Sequence, residues 1–289
     1  MSEPVIAARN TPAPSLPPAP ARPPRDPVSA AFHWLLGRHW EAIDREAAVE
    51  RAALGRWDAR PLWVLVLAAL VLVFQEYYGD RPTFDAVFSS VPREWRDLGE
   101  FAWWSGAKVL GYLIVPAIAM LAAGVKLSDA GLRLRGTGAH VWIYVVLFLA
   151  ILPVIVAASY TRPFQHTYPF YKLAARSWTD LLAWEAMYAA SFLALEFFFR
   201  GFLLFGLKRA LGANAIFVMC VPYCMIHFHK PVAEVTGAIF AGIILGTLAL
   251  RTRSIWCGVL IHVSVAWTMD LLALSHTTGF PGSGRFVGP

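Results

Sequence analysis

The sequence predicts an all-α fold, a polytopic transmembrane helical bundle of about seven spans behind a disordered Pro-rich N-terminal tail. Three observations predict it. Of 289 residues, 57% are hydrophobic and 15% charged, with a mean hydropathy of +0.53; soluble domains average about 25% charged and 45–50% apolar residues. Several apolar runs approach the roughly 20 residues that a bilayer-spanning helix needs. The alternating ten-residue segments of a transmembrane barrel are absent.

Each segment follows from its composition. Residues 1–28 hold nine of the twenty prolines and too few apolar side chains for a core, so they read as a disordered tail. The opening residues lack the basic segment and apolar core of a signal peptide. Residues 29–60 read as an amphipathic juxtamembrane helix: Phe32, Leu35, Leu36, Ile43 and Leu54 recur at helical spacing, with Arg38, Arg45, Arg51 and Arg56 between them. Such a helix is expected to lie on headgroups. The membrane domain covers 61–276, with spans near 61–78, 101–124, 140–160, 181–205, 213–229, 233–250 and 255–275. Leu211-Gly212 marks a tight turn between the fourth and fifth. Residues 277–289 read as a flexible C-terminal tail.

The net charge of +6 is a topology signal, and no nucleic-acid partner is expected. With the N-terminus inside, the tail and the even-numbered loops carry fifteen Lys and Arg, against eight on the other side. That bias places the N-terminus in the cytoplasm. An integral protein of a bacterial inner membrane is the expected localisation. Cys220, Cys224 and Cys257 all lie in apolar runs, which argues against a disulfide framework. Ala238, Gly242 and Gly246, at every fourth position, predict close helix packing.

Ionisable groups at membrane depth are expensive, so each is a functional candidate. Glu196 and Arg200 are four apart and share a helix face; they form either a structural ion pair or a held carboxylate. Glu185 lies three turns earlier on the same stripe. His227 ends the fifth run, and His262 sits in the seventh. Either is a core histidine, a proton acceptor or a metal ligand. His229, Glu234 and Asp270 are secondary candidates; interfacial placement or a lysine or arginine partner would also explain them. Cys220, Cys224 and His227 share one face, but one straight helix rarely wraps a metal, and the cysteines read as small core residues.

Together these segments resemble the CPBP family of intramembrane proteases, which includes the type 2 CAAX prenyl endopeptidases and bacterial relatives linked to bacteriocin processing and immunity. The family pattern is Glu-Glu-x-x-x-Arg, then aromatic-x-x-x-His, then His-x-x-x-Asn. Here Glu196, Arg200 and Gly201 match the first motif, Tyr223 and His227 the second, and His262 the third. The resemblance covers about residues 100–275. Leu195 stands where the family has its leading glutamate, and Ala266 where it has asparagine. His227-Phe228-His229-Lys230-Pro231 with Glu234 also resembles bacterial members proposed to process C-terminal sorting tails.

The resemblance implies an intramembrane endopeptidase acting on a membrane-anchored protein or peptide. Glu196, oriented by Arg200, and His227 would activate water, and His262 would donate to the oxyanion. No cofactor is required by these residues. Zinc is the alternative, with His227, His262 and Glu196 as a His₂Glu set. The contrasting expectation is a catalytically inactive relative acting in immunity, scaffolding or partner binding, with Leu195 and Ala266 marking a dead site. A transporter is the weakest expectation, because paired broken helices are not evident.

Overall fold

The computed structural model describes residues 26–228 and 230–286, and among them every regular element is helical. Of the expected tail, only residues 26–28 fall within that range. The Asp26 side chain accepts the Ser29 N–H at 2.8 Å and opens α1, Pro27–Phe32. A π-helical turn leads into α2, Arg38–Leu54, which stops at Gly55. The long helices follow. α3 is Arg60–Tyr78; after the short α4, Arg81–Val87, come α5, Glu94–Ala122, and α6, Thr137–Ser159. The short α7, Arg162–Thr167, precedes α8, Trp178–Leu211. α9 is Asn214–Met225, α10 Val232–Thr252 and α11 Trp256–His276.

Six of these helices are long and apolar enough to cross a membrane: α3, α5, α6, α8, α10 and α11. The expected fifth span, 213–229, is instead the 12-residue α9. At 1.5 Å per residue it reaches only about 18 Å, short of a hydrocarbon core of about 30 Å. The helix ends at Met225, with the Ile226 N–H donating to the Pro222 carbonyl at 3.2 Å. The chain turns at Ile226–Phe228, where the His227 N–H donates to the Cys224 carbonyl at 3.0 Å. His227 thus sits in a turn rather than at the end of a full span.

α8 is the shaft of the bundle. Its apolar window is 78% buried, against 11–33% for the other five long helices. Phe197, Phe198, Phe199, Phe202, Leu203, Leu204 and Leu207 are all buried in the main core. Over Phe197–Leu204 the helix widens into a π-helical stretch, a distortion that often accompanies functional sites. The expected small-residue stripe packs α10 on α9: Gly242 faces Cys220 and Tyr223, and Gly246 faces Met219 and Ile216. All three cysteines are free thiols.

The amphipathic helix α2 buries one face against the bundle. Its apolar face packs on the protein, with Ile43 and Ala47 fully buried. The Trp40 indole N–H donates to Thr247 of α10 at 2.9 Å, and Lys208 of α8 pairs with Glu46 and Glu50 at 3.0 and 2.8 Å. Asp44 accepts the Ala213 N–H at 2.7 Å. Gly212 makes that contact feasible: its φ is +59°, and a side chain there would collide with the Asp44 carboxylate. α2 is therefore a strap across the ends of α8, α9 and α10.

Candidate active site

Residues four apart on α8 build one wall of the site. Phe192, Glu196 and Arg200 share a face of that helix. The Phe192 ring stacks on the His262 imidazole, with centroids 5.5 Å apart and planes within 8°. Glu196 Oε1 lies 2.8 Å from His262 Nδ1 and 3.1 Å from Arg200 Nη1. Glu196 and Arg200 are 1% and 0% exposed, so the pair is entirely within the bundle. In such surroundings an ion pair holds only when each charge keeps its partner.

Arg200 is unusual among buried arginines. None of its guanidinium N–H groups meets an acceptor in hydrogen-bond geometry among the described residues. The guanidinium instead lies over the Tyr223 ring, 4.1 Å from the centroid. Its neutralisation therefore comes from the Glu196 charge and the ring face rather than a forked carboxylate contact.

α11 supplies the opposite wall. His262 Nδ1 donates to the Gly258 carbonyl at 3.1 Å, so this nitrogen carries the proton in the neutral ring. Nε2 then accepts the Tyr223 hydroxyl at 3.0 Å. The result is a line of carboxylate, imidazole and phenol: Glu196, His262, Tyr223. Gly258, one turn before His262, is the residue that lets Glu196 approach. A Cβ there would collide with the Glu196 carboxylate.

His227 stands on the far side of Tyr223, its ring 4.9 Å from the tyrosine ring. Its Nδ1 donates to the Tyr223 carbonyl at 2.8 Å. That bond fixes the tautomer and leaves Nε2 as a lone pair with no partner among the described residues.

The secondary candidates lie elsewhere. Asp270 is fully buried and accepts the Trp184 indole N–H at 2.6 Å, so the expected lysine or arginine partner is a tryptophan. Glu234 accepts the Tyr168 hydroxyl at 2.7 Å and pairs with Lys230 at 2.6 Å. It ties the start of α10 to the segment after α7. Glu185 is buried with neither carboxylate oxygen bonded among the described residues. It lies about 16 Å along α8 from Glu196. His229 lies outside the described residues.

No three His, Cys, Asp or Glu side chains among the described residues are arranged to share a metal ion. The expected His227, His262 and Glu196 set is not assembled. Both His262 nitrogens are already engaged, by Gly258 and Tyr223. The Cys220 thiol contacts the Ile239 carbonyl at 3.5 Å and the Cys224 thiol the Val235 carbonyl at 3.9 Å, as helix packing predicts.

Sequence reasoning placed Tyr223 only as the aromatic position of the second motif, with no role for its hydroxyl, and did not single out Gly258. Both carry a visible signal. Tyr223 stands four before His227 and Gly258 four before His262, each on the same face as its histidine. Leu195 and Ala266 are both buried in apolar clusters.

With the geometry in place, the comparisons place this region. Residues 177–268 match the family model described as type II CAAX prenyl endopeptidase Rce1-like. Comparison with curated proteins and with solved structures gives no match. The matched segment runs from the start of α8 into α11 and contains Glu196, Arg200, Tyr223, His227 and His262. The chain thus carries an Rce1-like type II CAAX prenyl endopeptidase domain over residues 177–268.

Proposed function

From that domain, we propose that the chain is an intramembrane endopeptidase that hydrolyses a peptide bond in a membrane-tethered protein. The family implies protein substrates, and six membrane-length helices fit a substrate presented from the bilayer. The observation that carries the reading is the buried line Glu196–His262–Tyr223 beside the free Nε2 of His227.

In the proposed reaction, His227 Nε2 accepts a proton from the attacking water and returns it to the departing amine nitrogen. Glu196, held in place by Arg200, fixes the His262 ring beside Tyr223. The Tyr223 O–H turns from His262 Nε2 and donates to the tetrahedral oxyanion. Tyr223 would thereby supply a donor that Ala266 cannot. His262 acts one bond further from the oxyanion than its place in the family pattern suggests.

The test is cleavage of a membrane-tethered substrate by wild type and three variants in proteoliposomes, with products read by mass spectrometry. Glu196→Gln and His227→Ala should each abolish cleavage. Tyr223→Phe, which keeps the ring over Arg200, should lower kcat about 10²–10³-fold, the usual loss for an oxyanion donor. Wild-type rates in Glu196→Gln or His227→Ala would refute the mechanism.

Leu195 and Ala266 favour a second reading, an inactive relative that works by binding a partner. That reading wins if Leu195→Glu combined with Ala266→Asn creates a cleavage activity that wild type lacks.

A further inference from the structure

Away from the catalytic candidates, a cavity of about 350 Å³ opens where α3 begins and where α5 and α8 end. That is within the size range of small-molecule sites. Its lining includes Arg56, Trp57, Asp58, Arg60, Trp63 and Arg209. Arg209 lies thirteen residues beyond Glu196 on α8, about 20 Å along the axis, so this recess is separate from the histidine cluster.

The charges do not balance. Arg209 Nε and Nη2 donate to the two Asp58 carboxylate oxygens at 2.7 and 2.6 Å. Asp58 also accepts the Arg60 backbone N–H at 3.1 Å. The one acid lining the cavity is therefore used up by Arg209 and the backbone. Among the described residues, neither the Arg56 nor the Arg60 guanidinium makes an ion pair or side-chain hydrogen bond. Arg60 is half-buried all the same. Two arginines without an ion-pair partner in one recess offer a place for an anion.

The surroundings indicate which anion. The cavity lies at the ends of three long helices, on the side that carries the excess of Lys and Arg. Trp57 is 76% exposed at its rim, and tryptophan favours the headgroup level. Leading away from Arg60 along α3, Leu62, Val66 and Leu70 form an exposed stripe at every fourth position. Ile114, Ile118 and Leu121 form another toward the end of α5. A phosphate held by arginines, with apolar tracks running from it along two membrane-length helices, matches a phospholipid.

We propose that this cavity binds the headgroup phosphate of an anionic phospholipid, through Arg56 and Arg60, with the acyl chains along α3 and α5. Arg209 is locked in place by Asp58 and shapes the wall.

The experiment uses the full chain, purified in nonionic detergent and delipidated. Bound lipid is counted by native mass spectrometry, and the unfolding midpoint is followed with added phosphatidylglycerol, phosphatidylcholine or inorganic phosphate. Wild type should retain and be stabilised by phosphatidylglycerol alone. Arg56→Gln with Arg60→Gln should bind it about 30-fold more weakly, taking about fivefold per basic residue at an anionic lipid surface. Arg133→Gln with Arg135→Gln removes the same charge from exposed positions on the same side and should bind as wild type does. If the first pair fails to accumulate, Arg56→Gln alone, at an exposed side chain, should still weaken binding about fivefold.

Equal loss in the two double variants would mean diffuse surface attraction and overturn the site. So would equal stabilisation by inorganic phosphate, which would make it a soluble-anion site, or by phosphatidylcholine. None of these outcomes depends on proteolysis.

Discussion

Gly258→Ala tests whether Glu196 is held where the geometry puts it. The added methyl would collide with the Glu196 carboxylate. Helix propensity favours alanine over glycine by about 1 kcal/mol. Overpacking a tight contact costs about 1–3 kcal/mol. The expected net loss is therefore about 0–2 kcal/mol, small against a typical stability of about 5–15 kcal/mol, and the variant should fold. The carboxylate, however, must move by about 1 Å, and a displacement of that size in a catalytic group costs about 10²-fold in rate. The assay pairs cleavage of a membrane-tethered substrate with the unfolding midpoint of the same preparation. Gly106→Ala is the control, because nothing lies within 4 Å of its added methyl; it should keep full activity with an equal or higher midpoint. If Gly258→Ala cleaves at the wild-type rate with an unchanged midpoint, Glu196 is not held against Gly258 and the proposed line from carboxylate to phenol is wrong.

Two further outcomes follow from the buried and interfacial charges. Arg200→Met leaves the Glu196 carboxylate buried without its counter-charge, and removing one partner of such a pair costs about 3–5 kcal/mol; adding Glu196→Gln should restore most of the lost midpoint, and strict additivity of the two changes would refute the pairing. Arg209 hydrogen bonds hold the Asp58 carboxyl below the usual carboxylate range. That pair therefore contributes fully above the unfolded-state pKa of about 4 and is lost as pH falls through the lower folded value. Asp58→Asn should melt below wild type at pH 7, and the gap should close on acidification; a gap independent of pH would show that the carboxylate charge is not what Arg209 uses.

The all-α fold and the long spans were legible because apolar runs of membrane length have few alternative structures. Two features were not. α9 has the composition of a span, and only its early stop at Met225 leaves it too short to cross a membrane; hydropathy does not register where a helix stops. The basic residues of α2 are visible in sequence, whereas its partners Thr247, Lys208 and Ala213 lie about 160–210 residues away and were not. The pairing of Glu196 with Arg200 was legible from spacing alone. Its approach to His262 was not, since that contact joins two helices.

Leu195 shows why the matching motif and the working geometry have to be separated. Adjacent helical positions differ by about 100°, so the face bearing Phe192, Glu196 and Arg200 excludes Leu195. Leu195 belongs instead to the main apolar cluster with Tyr112, Phe198 and Phe199. A glutamate at 195 would enter that cluster as an unpartnered buried carboxylate, at a cost of several kcal/mol. On the Glu196 face, Arg200 and His262 share one carboxylate, and the Tyr223 ring covers the Arg200 guanidinium. On the proposed reading, chemistry depends on that single carboxylate rather than a pair. Restoring the missing glutamate should therefore destabilise the bundle without raising the rate of cleavage.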